Sequence, residues 1–358
     1  MKIVHVIGNR PQFIKLALLL KALEEMGVRN TILHTGQHFD DNMSRIFFSE
    51  LSIPNPDYLL GINSLPHNQL IGRMLSGMDP VFEKERPTCV VVYGDTNTTL
   101  AGALAAKKSR IPVVHVEAGV RTMNEEMPEE ANRYLADRVS DLNFCSTYLG
   151  VENLHKEGFG TKVIHSRVFN SGDLLLDACK THSQKAMERG YQQDSIKQPF
   201  VLATIHRTEN IDNGEKLRNI IQALNTIHKF TPVVFPMHPK TSRIIRQMDL
   251  RIKFKAIEPL GYLDTLCLAQ QCSSVITDSG GLSREAFFLN KPVLVLMQNA
   301  FWPEIFIHGN GSRSNSIAAE IVQSHQSLQN QITKNKVEIF GDGKAAEKIS
   351  SEILGAFQ

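Results

Sequence analysis

Short runs of β-branched and other apolar residues alternate along the chain with longer stretches in which apolar positions recur every three or four residues. The runs at residues 2–7, 31–34, 89–93, 113–116 and 142–145 read as strands that are apolar on both faces. Between them, residues 13–23, with Ile14, Leu18 and Leu19 apolar, and residues 98–106 carry the helical period. Such strands separated by helices predict a parallel sheet covered on both sides. The alternation pauses over residues 180–198, a polar stretch that predicts a helix end followed by a linker. It then resumes, with strands at 200–205, 233–236, 275–277 and 292–296 and helices at 216–227 and 281–289. A short amphipathic helix is predicted over 343–354. The expected architecture is α/β, with two Rossmann-like domains over 1–170 and 171–358. The last helix is able to pack back on the first domain.

Composition narrows the function classes. A chain of 358 residues is longer than one average domain, and its 42% apolar and 21% charged residues are those of an ordinary globular protein. The five cysteines are an odd number, scattered mostly inside apolar runs, which favours buried thiols over disulfides or a metal site. A net charge of +2 provides no basic field for nucleic acid. The opening run is broken by Gly8 and is too short for a secretion signal, and no later stretch is long enough to span a membrane. The expectation is a cytoplasmic protein with no nucleic-acid or membrane partner.

In open α/β sheets, ligands sit beyond the carboxyl ends of the strands, so the residues there carry the chemistry. The first strand ends in Gly8-Asn9-Arg10-Pro11-Gln12, followed by Lys15, and this places Arg10 and Lys15 near a helix N-terminus suited to anions. The second ends in Thr35-Gly36-Gln37-His38, a weaker signal. The third ends in Gly94-Asp95-Thr96, where Asp95 could cap the next helix. The fourth ends in Glu117, a carboxylate that must be solvated or paired, with Arg121 as one candidate partner. Glu129 follows Pro128 at a helix start, where acidic residues favour the helix dipole. Asp95, Glu117 and Glu129 fall at one end of one sheet, and crowded carboxylates are suited to trading protons.

The second half adds His206-Arg207 and His238 after its first two strands, a pairing of histidine and arginine that can meet a phosphate. Ser279-Gly280-Gly281 then joins a strand to a helix. Glycines there let a phosphate approach the backbone N–H groups, and the helix dipole favours its charge. Glu285, about one helical turn past Gly281, could reach ribose hydroxyls. No Gly-Lys-Ser/Thr follows and no GxGxxG is present, which disfavours a Walker loop and NAD.

Together these residues resemble the non-hydrolysing UDP-N-acetylglucosamine 2-epimerase family. The resemblance rests on GNRPQFIK (8–15), HTGQHFD (34–40), GDTNTTLAG (94–102), HVEAGVRT (115–122), MPEEANR (127–133), TIHRTEN (204–210), MHPK (237–240), TDSGGLSREA (277–286), WPE (302–304) and GDGKA (341–345), in order and nearly end to end. It implies a GT-B fold, with two Rossmann-like domains facing across a cleft, and a homodimer. It also implies inversion at the sugar C2 by elimination of UDP to a 2-acetamidoglucal and re-addition, with no redox cofactor and no metal. Asp95, Glu117 and Glu129 match the carboxylates of the proton transfers, and His206 a histidine near the diphosphate. Arg10 and Lys15 match basic residues in the cleft. Ser279, Gly280 and Gly281 match the diphosphate loop, and Glu285 the ribose-binding acid. Gln37, His38, Arg133, Arg207 and His238 complete the expected substrate-binding set.

The chain departs from the family pattern in places. Met297 stands where members carry an arginine, with Arg284 and Arg313 as candidates to supply the charge, and Ser283 replaces the usual glutamine. Asp40 and Thr208 differ from residues typical of members activated by their own substrate. The wording of RPQFIK and GQHFD is closer to the branch that includes the 2-epimerases of UDP-2,3-diacetamido-glucuronic acid. The expected function is 2-epimerisation of a UDP-activated N-acetylated hexosamine for surface polysaccharide, with the diacetamido uronic acid as an alternative substrate and hydrolytic release of UDP as an alternative reaction. A GT-B glycosyltransferase would leave the three carboxylates unexplained, and a binding protein without catalysis would bind UDP-sugars without turnover.

Overall fold

The structure, a computed structural model, describes residues 1–37, 41–191, 196, 198–299, 301–329 and 334–357, apart from the side chains of 41–44. It divides into two compact units, Met1–Ala178 with Glu338–Gln358, and Cys179–Val337.

The first unit is built on a parallel sheet of β1 (Lys2–Ile7), β2 (Arg29–His34), β3 (Tyr58–Leu59), β4 (Cys89–Tyr93), β5 (Val113–Val116), β6 (Leu142–Cys145) and β7 (Arg167–Asn170). Their order is β3-β2-β1-β4-β5-β6-β7, so the chain reverses its direction across the sheet between β1 and β4. Ile3 pairs with Cys89 and His5 with Val91 at that junction. β1, β4, β5 and β6 are buried along their length apart from Lys2, and Val4, Val6, Val90 and Val92 are fully buried in one core cluster. The helices at Arg10–Glu25 and Asn97–Lys108 therefore begin side by side beyond the carboxyl ends of β1 and β4, the switch point at which such sheets take ligands.

The second unit repeats the plan with β8 (Val201–Thr204), β9 (Val233–Pro236), β10 (Lys255–Ile257), β11 (Ser274–Thr277), β12 (Val293–Val295) and β13 (Gly311–Arg313) in the order β10-β9-β8-β11-β12-β13. Its switch point lies between β8 and β11, where Thr204 pairs with Thr277.

The strands absent from the apolar pattern are β3, β7, β10 and β13, the edges of the two sheets. Edge strands are covered incompletely, and here they read YL, RVFN, KAI and GSR, with exposed or half-buried positions dominating. The polar stretch 180–198, expected as a helix end followed by a linker, does begin as the solvent-facing end of a helix, Leu174–Arg189, along which the chain passes from the first unit to the second.

The chain returns to the first unit at its end. The Ala345–Phe357 helix packs against Arg10–Glu25 and buries Ile349 and Ile353 completely. Its first turn is tied down by the Asp177 carboxylate, which accepts from the Ala346 N–H at 2.8 Å. The helix is thus part of the first unit's core. Ile349→Ala is expected to lower stability by about 3 kcal/mol, the cost of a buried branched side chain and the cavity it leaves, measured by urea unfolding followed by circular dichroism.

Candidate active site

In the first unit the loops after β1, β4 and β5 are stitched together by side chains. Gln12 Oε1 accepts from the Gly8 N–H at 2.7 Å, and its Nε2 donates to the Tyr93 carbonyl at 2.8 Å, joining the ends of β1 and β4. Gly8 has to be glycine, because a Cβ there would lie 2.3 Å from Thr98 Oγ1 and 2.5 Å from Thr35 Oγ1. The Thr98 hydroxyl and N–H both donate to Gln37 Oε1, at 2.7 and 3.0 Å, which turns Gln37 toward the same loops. His38 and Asp40 lie outside the described residues.

The two capping and pairing alternatives open to Asp95 and Glu117 are decided by geometry. Thr96, not Asp95, caps the Asn97–Lys108 helix, its hydroxyl accepting from the Thr99 N–H. Asp95 is instead gripped by Arg133, whose Nε and Nη2 both donate to Oδ2, at 3.1 and 2.5 Å. Arg133 is 1% exposed, so this pair is shielded from water on the arginine side, while the Asp95 side chain stays 30% exposed. Glu117 pairs with Lys15, at 2.5 Å, and not with Arg121. Lys15 is itself buried at 2% exposure. Gly94 sits against this pair: a Cβ there would be 3.7 Å from Glu117 Oε1 and 3.8 Å from Lys15 Nζ.

Glu117 holds a backbone φ of +70°, a region that non-glycine residues occupy at a cost of order 1–3 kcal/mol. Two N–H groups, from Glu117 and Ala118, donate to the Phe144 carbonyl at 3.0 and 2.9 Å and hold that conformation. Glu129 is half-buried in the first turn of the Pro128–Val139 helix, one turn before Arg133. The helix start is fixed over Asp95 by Asn132, whose Nδ2 donates to the Asp95 carbonyl at 2.9 Å. Arg10 opens the Arg10–Glu25 helix, with its guanidinium 5.6 Å above the Phe47 ring.

In the second unit the organising group is Asp278, the fully buried residue that directly follows β11. Its carboxylate accepts from the N–H groups of His206 and Arg207 and from Asn210 Nδ2, at 3.0–3.1 Å, and lies 3.0 Å from His206 Nδ1. Burial pushes the Asp278 carboxyl up, but the His206 charge and these hydrogen bonds outweigh it and hold it below its ordinary value of 3.8. The His206 side chain is half-exposed, with Nδ1 turned to Asp278. Arg207 donates from Nε to the Asp278 carbonyl at 2.7 Å and stacks 4.3 Å over Phe301.

Ser279 caps the Gly280–Phe288 helix, its hydroxyl accepting from the Leu282 N–H at 3.2 Å. The N–H groups of Gly280 and Gly281 stand at that positive helix end, and a Cβ on Gly281 would meet only Ser279 Oγ, at 3.7 Å. Glu285 is buried on the same helix. Arg284 stacks 4.1 Å over Trp302 and donates to the Gly280 carbonyl at 3.1 Å, while Met297 is buried. His238 is exposed and caps the helix that follows it, Pro239–Gln247, its ring accepting from the Lys240 N–H at 3.2 Å.

The residues that sequence reasoning missed are buried acids that order these loops: Asp278, Glu130 and Asp137. Glu130 accepts from the N–H groups of Thr122 and Met123 and pairs with Arg133 at 2.5 Å. The one available signal for Asp278 and Glu130 is their placement beside the conspicuous residues, within TDSGG and MPEEANR, while Asp137, four residues past the second motif, carries none. Among the described residues no group of three His, Cys, Asp or Glu is arranged to hold a metal ion, and no helix is long and apolar enough to cross a membrane.

Comparison with known proteins gives the family and the fold. A family model described as UDP-N-acetylglucosamine 2-epimerase matches residues 21–354, and the chain belongs to that family. Its fold is GT-B-type, with two Rossmann-like domains. It is 43% identical over 354 residues to a UDP-2,3-diacetamido-2,3-dideoxy-D-glucuronate 2-epimerase from Pseudomonas aeruginosa, covering 98% of both chains. It is 36% identical to a UDP-N-acetylglucosamine 2-epimerase from Methanocaldococcus jannaschii, again over 98% of both. The crystal structure of Methanocaldococcus jannaschii UDP-GlcNAc 2-epimerase with UDP-GlcNAc and UDP superposes with a TM-score of 0.92, over 99% of this chain and 100% of that one at 36% identity. The Neisseria meningitidis UDP-GlcNAc 2-epimerase bound to UDP-GlcNAc gives 0.90 at 29% identity, over 99% and 100%.

Asp278 supplies a pH test. Because its folded pKa is depressed, its contribution to stability is present above the unfolded pKa and lost as pH falls through the folded one. The wild-type melting temperature should therefore fall steeply below about pH 4. Asp278→Asn should melt lower at neutral pH and decline less steeply in acid, measured by scanning calorimetry from neutral pH downward.

Proposed function

We propose that this chain is a non-hydrolysing 2-epimerase of a UDP-activated 2-acetamido sugar. The observation that carries the reading is the group of carboxylates at the first unit's switch point, Asp95 held by Arg133 and Glu117 paired with Lys15, with Glu129 one turn before Arg133. Inversion at C2 needs a proton removed from one face and returned on the other, and two separately held carboxylates suit those two steps.

The C2 proton is not acidic, so the C1–O bond must break ahead of its removal or with it. UDP leaves with the bonding electron pair, a carboxylate takes the C2 proton, and a double bond forms between C1 and C2. In the return step C2 receives a proton on the opposite face and the UDP oxygen attacks C1. The departing diphosphate requires strong stabilisation. In the second unit His206, Arg207, Ser279 and the Gly280 and Gly281 N–H groups are suited to it. Arg10 and Lys15 are the substrate-binding cations of the first unit. Glu285 takes the ribose, Gln37 and His38 are further substrate-binding residues, Arg133 holds Asp95 in place, and His238 adds a polar contact.

The 43% identity to the diacetamido-glucuronate enzyme favours that uronate as the substrate to offer first, with UDP-N-acetylglucosamine second. We further infer from the resemblance that the enzyme works in the cytoplasm as a homodimer and that its product enters surface polysaccharide.

Proton NMR in deuterated water tests the reaction. The expected outcome is a growing signal of the C2 epimer with deuterium at C2 and no accumulation of free UDP. Stoichiometric UDP with a free sugar would assign hydrolysis instead. Asp95→Asn and Glu117→Gln should each lower kcat by about 10²–10⁴-fold, the range for loss of a general acid or base.

A further inference from the structure

The Pro128–Val139 helix carries Glu129, Arg133 and Asp137 at four-residue spacing, which puts all three on one face. Asp137 is fully buried. Its Oδ1 meets His115 Nδ1 at 2.7 Å, and its Oδ2 meets Arg121 Nη1 at 2.7 Å and accepts from the Gly119 N–H at 3.2 Å. His115, also fully buried on β5, turns its other ring nitrogen, Nε2, to the Gly94 carbonyl at 2.7 Å. A carbonyl can only accept, and a carboxylate already held by Arg121 and Gly119 accepts as well, so both ring nitrogens act as donors.

The residues tied together in this way flank the proposed proton carriers. Gly94 is the residue before Asp95. His115 is two residues before Glu117, and Gly119 is two residues after it. Gly119 itself has a φ of +76°, and a Cβ on it would lie 2.3 Å from the Gly150 carbonyl oxygen, so this loop has little room to shift. Arg121 is anchored in turn by Glu157, through Nε at 2.7 Å and Nη2 at 2.9 Å. One helix face therefore carries Glu129, grips Asp95 through Arg133, and grips both sides of Glu117 through Asp137.

We propose that His115 and Asp137 are positioning residues for the epimerisation: the link from the Asp137 carboxylate through the His115 ring to the Gly94 carbonyl, together with the Asp137–Gly119 bond, sets Asp95, Glu117 and Glu129 relative to one another. The proposal rests on the reading of those three carboxylates as proton carriers. Burial pushes the Asp137 carboxyl up, but its hydrogen bond to His115, the His115 charge and Arg121 outweigh burial and hold it below the ordinary carboxylate range, as a permanent anchor needs.

The test compares His115→Leu, which removes both donors, with His115→Gln, which keeps an amide N–H able to reach the Gly94 carbonyl, and His115→Asn, whose amide stops short of it. Steady-state epimerisation, UDP affinity by calorimetry and the melting temperature are measured for each full-length variant. The expected result is a kcat about 100-fold lower for His115→Leu, in line with displacement of reacting groups by about 1 Å, with KM and UDP affinity near wild type. His115→Gln should recover most of the loss and His115→Asn less. If His115→Leu does not fold, the ranking of Gln above Asn at matched melting temperatures carries the test. A kcat unchanged in all variants, a loss shared equally by KM and UDP affinity, or Gln no better than Asn would overturn the proposal while leaving the epimerase reading intact. A wild-type chain inert toward both UDP-sugars would overturn the functional reading, and this inference with it.

Discussion

In each unit one fully buried aspartate holds the strand-end loops together. Asp137 does this after β4 and β5, and Asp278 does it after β8 and β11. A carboxylate without water survives only if donors surround it, because an isolated buried charge costs several kcal/mol. That requirement works in both directions. Each aspartate needs its partners, and each partner is a loop that would otherwise be free to move. Satisfying one buried charge therefore orders several backbone segments at once. Both aspartates sit at the carboxyl ends of their sheets, the end at which this fold class takes ligands.

The rigid frame explains why the sites tolerate costly features. Glu117 sits at a positive φ, Lys15 is buried, and Gly8 and Gly119 make approaches that a Cβ would forbid. None of these helps the fold in isolation. They persist because the surrounding hydrogen bonds overdetermine them, which is the usual condition for strain at a functional site. The chemistry assigned to the two units differs accordingly. The first concentrates carboxylates with their counter-cations, as proton transfer requires. The second concentrates a helix N-terminus, two glycines and the His206–Arg207 pair, as an anion requires.

The substitutions relative to the family pattern also acquire a physical setting. Phe301 and Trp302 are each stacked against a guanidinium, Arg207 and Arg284 respectively. Cation and aromatic ring thus pair beside the glycine turn, and Gly280 lies close enough that its Cβ would touch Phe301 at 3.4 Å. Of the two arginines considered as replacements for the missing cation, Arg284 bonds the Gly280 carbonyl in the glycine turn, while Arg313 donates to the carbonyl of Gln298, the neighbour of Met297, at 3.3 Å.

Residue order alone marks out the two α/β halves, the central strands and the turns at which chemistry collects. Those features are local: a strand buried on both faces must be apolar throughout, and a helix start that approaches an anion must spare a Cβ. Edge strands such as GSR escaped notice because half-covered strands need no apolar run. The joining helix is legible only as a helix end ahead of a linker, because its outer face is polar. The pairings, by contrast, belong to the folded chain. Asp95 could have capped its own helix, yet it is held by Arg133, 38 residues away, and Asp278 serves His206 at a distance of 72 residues. Glu117 likewise chose Lys15 over the nearby Arg121, which Asp137 and Glu157 had claimed. A charge near a strand end announces that it needs a partner; which partner it takes depends on what the folded chain brings within hydrogen-bonding distance, and no local pattern records that.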